Sequence, residues 1–286
     1  MIWVFSAFVA VSLAWLALFL AGRRIPKPWL VALGVSPVVL IYLFNPEFRV
    51  YSFHGFMHAG ITYQILNGII PPADPLLAGH TVVYPWGSHL AAALICRIFS
   101  VTPFMALAAL NVISLALAIV LVYKISKLIV DNERANILSV VVSLYAITFT
   151  NPALMRILPE TVPSEFRGVP ILLKFITINV LPEGLVLFLV FIYSVLLLER
   201  TGKIIPGLPL LVGSILGVGV AYPAFLLGIA ASLVLLWIAS VVMLRYDRLR
   251  WRLKTIALSV ASLVAAVLVV RPLLAALGAG TASQIQ

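Results

Sequence analysis

All four histidines of the chain lie within one stretch of 36 residues, which also holds an aspartate. The five residues are His54, His58, His80, His89 and Asp74. His54 and His58 are four residues apart, a spacing that would put both on one face of a helix. Imidazole and carboxylate groups suit zinc, so the cluster permits a divalent metal. It contains no HExxH motif and no cysteine–histidine pattern, and loops at a membrane surface also collect such residues as amphipathic anchors. We therefore assign no metal ligand and leave a divalent-metal cofactor open.

Two carboxylates stand beside prolines and are candidates for acid–base chemistry. Asp74 lies in Pro71–Pro75 (PPADP), where the prolines restrict the backbone and hold the side chain in place. It is a candidate general base or metal ligand, and the alternative is an Asx-turn. Glu183 lies in Leu181–Leu185 (LPEGL), at the start of an apolar run where an ionised carboxylate is costly. Its alternative role is to stabilise the positive end of a helix dipole.

One arginine interrupts an apolar run near the end of the chain. Arg271 would need an acid, a lipid phosphate or a substrate phosphate as its partner. Contact with a lipid headgroup alone is the alternative to substrate binding. The spacing Gly213-x-x-x-Gly217 predicts close packing between helices.

The composition decides which elements must position these residues. Of the 286 residues 63% are hydrophobic and 10% are charged, so an ordinary soluble domain is excluded. The only cysteine, Cys96, excludes an intramolecular disulfide. A net charge of +10 would suggest nucleic acid in a soluble protein, whereas here we interpret Arg245–Lys254 as an anchor on anionic lipid and expect no nucleic-acid partner. The prediction is an all-α, polytopic membrane bundle that forms a single transmembrane domain over 1–286.

Hydropathy predicts about eight transmembrane helices. They cover Ile2–Ala21, Trp29–Phe44, Pro103–Tyr123, Ala135–Phe149, Gly184–Leu198, Leu208–Tyr222, Ala224–Leu244 and Thr255–Leu277. Alternate loops hold 13 of the 19 lysines and arginines, which makes those loops cytoplasmic by the positive-inside rule. Both termini are then outside, as are two long loops, 45–101 and 151–182.

The first long outer loop contains two short segments of mixed polarity. Phe53–Leu66 and Ser88–Phe99 are too short to cross a bilayer, which takes about 20 residues. We predict that both are helices in the membrane interface, joined by a turn rich in proline and glycine.

The order of these features resembles membrane glycosyltransferases of the GT-C class, which use polyprenyl-phosphate-linked sugar donors. The resemblance covers roughly Trp29 to Arg200. The matching segments are Phe53–Gly68, Ile70–Pro75, Tyr84–His89, Leu90–Phe99, the basic end at Lys124 and Lys127, and Leu181–Leu185. In that class a long outer loop opens with an acid about fourteen positions before a glycine, and a second acid precedes a later apolar helix. Glu183 matches the second acid, but counting back from Gly68 reaches His54 instead of an acid. Either His54 substitutes as base, or Asp74 takes that role, or this protein lacks the usual activity.

The resemblance implies transfer of a sugar from a lipid phosphate to an acceptor at the outer face of the plasma membrane. His54, Asp74 and Glu183 are then the catalytic candidates, and His58, His89 and Arg271 are the substrate-binding candidates. The implied partners are the lipid-linked donor and membrane lipid, and the oligomeric state stays undetermined. Two alternatives come from other classes of protein, a non-catalytic assembly subunit and a transporter or lipid flippase. Transporters usually show internal repeats and polar groups at the midplane, and neither is evident here.

Overall fold

The computed structural model of the chain describes residues 14, 17, 27–44, 53–75, 80, 82, 86–143, 175, 178, 180–201, 204–223, 225–242, 246–265 and 268. The regular structure in this part of the chain is entirely helical, with nine helices and no strand, so the all-α prediction is confirmed. The helices are α1 (Lys27–Phe44), α2 (Phe53–Leu66), α3 (Gly87–Phe99), α4 (Pro103–Ile129), α5 (Glu133–Val141), α6 (Leu181–Thr201), α7 (Ile204–Ala221), α8 (Phe225–Val242) and α9 (Tyr246–Ala265).

The two short helices predicted in the first long loop are present. The second begins at Gly87, one residue earlier than predicted. Gly68, with φ of 82°, follows the end of α2, and Ser100, with φ of 55°, caps α3, because a left-handed residue terminates a helix well. α3 has an exposed apolar side that includes Leu94 and Ile98. This exposed apolar side is compatible with the predicted position of α3 in the membrane interface, and that position stays a prediction.

The expected number of eight spans is not reproduced. Among the described residues two helices are long and apolar enough to cross a membrane, Pro103–Ile129 and Leu181–Arg200. The predicted spans Leu208–Tyr222 and Ala224–Leu244 correspond to shorter apolar helical stretches, Gly207–Ala221 and Phe225–Leu235. Predicted spans such as Trp29–Phe44 and Leu208–Tyr222 are themselves shorter than the roughly 20 residues of a crossing helix, which is why the hydropathy runs overestimated the number of membrane-length helices. The predicted span Ile2–Ala21 lies largely, and the spans Ala135–Phe149 and Thr255–Leu277 lie partly, outside the described residues.

The contacts divide the chain into two compact units. The first comprises residues 1–56 and 104–182, and the second comprises residues 57–103 and 183–286. In the first unit Gly34 of α1 lies so close to Ile119 of α4 that a Cβ atom would collide with it. The hydroxyl of Tyr42 donates to the Phe175 carbonyl (3.0 Å) and accepts from the amide of Asn111 (3.2 Å), all in buried surroundings.

Polar side chains join α4 to α5 in the same unit. The hydroxyl of Tyr123 contacts both carboxylate oxygens of Glu133, at 3.0 and 2.8 Å. The hydroxyl of Ser126 donates to the Asn136 side chain at 2.7 Å. Asn132 caps α5 by accepting hydrogen bonds from two backbone N–H groups of its first turn.

In the second unit α7, α8 and α9 pack together, and α3 contacts α7. The core includes Phe191 of α6, Leu211 and Ile215 of α7, and Ile229 of α8. The two glycines predicted to pack closely behave differently. A Cβ at Gly217 would lie 3.1 Å from Leu187, whereas a Cβ at Gly213 would meet nothing within 4 Å. The prediction of close packing is therefore confirmed for Gly217 and wrong for Gly213.

Candidate functional site

Asp74 lies in a short segment whose backbone is hydrogen-bonded to His80 and Val82, further along the chain. We call residues 72–75, with His80 and Val82, the bridge segment. The N–H of Asp74 donates to the carbonyl of His80 at 2.7 Å, and the N–H of Val82 donates to the carbonyl of Pro72 at 3.0 Å. Asp74 itself is half-buried and His80 is exposed. The Asx-turn that was the alternative for the Asp74 side chain stays a prediction.

The bridge segment is attached to α2 by one side chain. The amide oxygen of Gln64 accepts a hydrogen bond from the N–H of Ala73 at 2.6 Å, and its amide nitrogen donates to the carbonyl of Ala73 at 3.1 Å. Pro75 also lies against α2, since a Cβ at Gly60 would be 3.4 Å from the proline ring. The residue before Asp74 is thereby tied to a helix through both of its backbone polar groups.

Two of the predicted substrate-binding residues form a buried pair between α2 and α3. Nδ1 of His58 lies 2.9 Å from Nε2 of His89, and both side chains are fully buried. One nitrogen of the pair must carry a proton and the other must accept it, so the two rings are joined by a hydrogen bond. Burial lowers the pKa of His89 to about 4, against the smaller opposing effect of the Trp86 backbone carbonyl. His89 is therefore neutral near pH 7.

Glu183 begins the long apolar helix α6. It lies in the first helical turn, where the helix dipole favours a negative charge. Its Oε2 atom is buried and has no hydrogen-bond partner among the described residues. A Cβ at the next residue, Gly184, would collide with the side chain of Tyr222 and lie 3.0 Å from Phe225. The glycine after Glu183 thus allows α6 to start in direct contact with the turn between α7 and α8.

The beginning of α3 meets the same end of α7. A Cβ at Gly87 would collide with the side chain of Val220 and lie 3.0 Å from its carbonyl oxygen. Val220 and Tyr222 are two residues apart, at most about 7 Å along the chain. The hydroxyl of Ser88, in the first turn of α3, is buried and has no hydrogen-bond partner in the described part of the chain. The first turns of α3 and α6 therefore adjoin neighbouring positions at one end of α7, each bringing a buried polar oxygen.

The structure brings some of the predicted site residues into one compact unit. Asp74, Glu183, His58 and His89 all belong to the second unit. His54 is in the first turn of α2, but its side chain is not among those that the structure describes. Arg271 lies outside the described residues. The sequence analysis also leads us to expect that the site residues line a single cavity, and this stays a prediction.

The described residues do not contain three His, Cys, Asp or Glu side chains close enough together to hold a metal ion. Sequence reasoning overlooked three features of this region: the hydrogen bond between His58 and His89, the buried hydroxyl of Ser88, and the attachment of Ala73 by Gln64. Both histidines were visible as candidates, but their 31-residue separation gave no indication that they pair. Ser88 and Gln64 carry no distinctive local pattern, because their partners or neighbours come from other elements.

Comparison of the chain with protein families, with curated proteins and with solved structures finds no match.

Proposed function

We propose that this protein is a polytopic membrane glycosyltransferase that moves a sugar from a polyprenyl-phosphate donor to an acceptor hydroxyl at the outer membrane face. The proposal includes a position in the plasma membrane and more than one crossing of the bilayer. Its partners are the lipid-linked donor and membrane lipid, with no nucleic acid involved.

The observation that carries the proposal is the buried carboxyl oxygen of Glu183. A buried acceptor without a hydrogen-bond partner costs about 1–3 kcal/mol, so its retention favours a role in binding a donor group such as a hydroxyl. Glu183 lies at the first turn of a membrane-length helix, and in the proposed arrangement the lipid-linked donor presents its headgroup at that end of the helix. Acceptor activation needs a general base at that depth.

Asp74 supports the same proposal because it is half-buried and its backbone is fixed by hydrogen bonds. In the proposed reaction Asp74, Glu183 or His54 removes the proton of the acceptor hydroxyl as the oxygen attacks the sugar carbon. The bond from that carbon to the phosphate oxygen breaks, and its electrons leave with the phosphate. Arg271 neutralises the charge that develops there, and His58 and His89 contribute to the substrate side of the site.

The direct test measures release of polyprenyl phosphate by purified protein in lipid nanodiscs, with a panel of polyprenyl-phosphate sugars. We expect Glu183→Gln or Asp74→Asn to lower turnover about 10²-fold, the effect of losing an acid–base group. Glu199→Gln is the matched control, because Glu199 lies at the other end of the same helix and should leave turnover unchanged. Parallel reactions with a chelator address the divalent metal that the sequence left open.

Three results would count against the proposal. The first is absence of transfer from every donor, which favours the assembly subunit. The second is donor movement across the bilayer without cleavage, which favours the flippase. The third is equal turnover by the Glu183→Gln and Glu199→Gln variants, which would show that the buried carboxyl group of Glu183 has no special role in the reaction.

A further inference from the structure

One side-chain amide attaches the bridge segment to α2 by two hydrogen bonds. Gln64 uses its oxygen and its nitrogen on the same residue, accepting from the Ala73 N–H at 2.6 Å and donating to the Ala73 carbonyl at 3.1 Å. In an antiparallel sheet, a residue of one strand exchanges two such hydrogen bonds with the residue opposite it. The side chain of a helical residue thus replaces a neighbouring strand.

The opposite side of the segment is held by its own backbone. Asp74 donates to His80 and Val82 donates to Pro72, so both flanks of Ala73 are bonded to the returning chain. Together with Gln64, these bonds hold the backbone at Ala73 on two sides. The position of the Asp74 Cα relative to α2 is therefore set by the Gln64 amide.

The contact between Pro75 and Gly60 adds a second point of attachment, but an apolar one. Gly60 and Gln64 are one helical turn apart, so they present the same side of α2 to the segment. Pro75 limits rotation next to Asp74, yet packing alone does not specify the position of a carboxylate as closely as two directional hydrogen bonds do.

We propose that Gln64 is a positioning residue that holds Asp74 where it acts on the acceptor hydroxyl. The inference rests on the proposed sugar transfer. Gln64 does not touch the substrate in this scheme, and it acts only through the carboxylate of Asp74.

The test compares two variants that carry the same new residue at adjacent positions of α2. Gln64→Met keeps the length of the side chain and removes both hydrogen bonds. Tyr63→Met is the control, since the Tyr63 side chain is exposed. We expect Gln64→Met to lower kcat about 10- to 100-fold, the effect of a small misplacement of a reacting group, with KM for the donor unchanged. Tyr63→Met should keep the wild-type kcat.

A third variant removes only one of the two hydrogen bonds of Gln64. Gln64→Glu keeps an oxygen that accepts from the Ala73 N–H but loses the donor to the Ala73 carbonyl, so its kcat should lie between those of Gln64→Met and wild type. Hydrogen exchange serves as the readout for folding. In Gln64→Met the Ala73 amide should exchange faster, while protection in α6 and α7 stays at the wild-type level.

The decisive comparison repeats Gln64→Met in an Asp74→Asn background. If Gln64 acts through Asp74, the second substitution lowers kcat no further. An equal fold-loss in both backgrounds overturns the inference while leaving the proposed function standing. Normal turnover by Asp74→Asn alone also overturns the inference, and then Glu183→Gln still tests the proposed function. A wild-type protein that transfers no sugar overturns both.

Discussion

The buried histidine pair makes the docking of α3 on α2 sensitive to acid. His89 is fully buried and its pKa is about 4 in the folded protein, against an ordinary value of 6.5. Between these values the unfolded chain binds a proton at this residue and the folded chain does not. Stability therefore rises with pH in that window. The contribution of His89 is complete above pH 6.5 and is lost progressively as the pH falls towards 4.

The size of the effect follows from the difference between the two pKa values. The difference between 6.5 and about 4 corresponds to roughly 3 kcal/mol over the whole window. At pH 5, where only part of the window has been crossed, the loss is about 2 kcal/mol relative to pH 8. A loss of this size is large against a typical total stability of about 5–15 kcal/mol.

The assay is denaturant unfolding in detergent micelles at pH 8 and at pH 5, followed by circular dichroism. We expect wild type to lose about 2 kcal/mol more stability than His89→Gln between the two pH values. Glutamine retains hydrogen-bonding groups towards His58 but does not titrate. His80→Gln is the control, because His80 is exposed, and its pH dependence should equal that of wild type.

Two results would refute this reasoning. If His89→Gln shows the wild-type pH dependence, the acid sensitivity arises from other groups. If His80→Gln abolishes the dependence, the exposed histidine is responsible and the burial argument for His89 is wrong.

The remaining predictions concern packing and topology. Gly184→Ala should destabilise the protein by about 1–3 kcal/mol in the same unfolding assay, because the new methyl group collides with Tyr222, whereas Gly213→Ala should be neutral or slightly stabilising in its open surroundings. Similar stability of the two variants would contradict the close approach at Gly184. For topology, the basic-residue asymmetry predicts that Asp131→Cys reacts with a membrane-impermeant thiol reagent from the cytoplasmic side and Asn67→Cys from the outside, each in a Cys96→Ser background. Both positions are exposed, and labelling of both from one side would exclude the predicted arrangement.

The local helical structure was predictable because it depends on nearby residues. The bounds of α2 agreed with the prediction and α3 began one residue early, since apolar composition and the Asn67–Gly68 signal act over a few positions. The start of α6 near Glu183 was also anticipated from the Leu181–Leu185 segment. The number of membrane-length helices was not, because several of the apolar runs are too short for one helix to cross a bilayer.

The contacts of the candidate site were decided by tertiary structure. Sequence alone singled out His58, His89 and Asp74 as residue types capable of chemistry, but it could not pair the two histidines across 31 positions. Nor could it identify Gln64 as the attachment of the residue before Asp74. A hydrogen bond depends on atomic separation and direction to within a few tenths of an ångström, and that geometry arises only when helices and loops distant in sequence pack together.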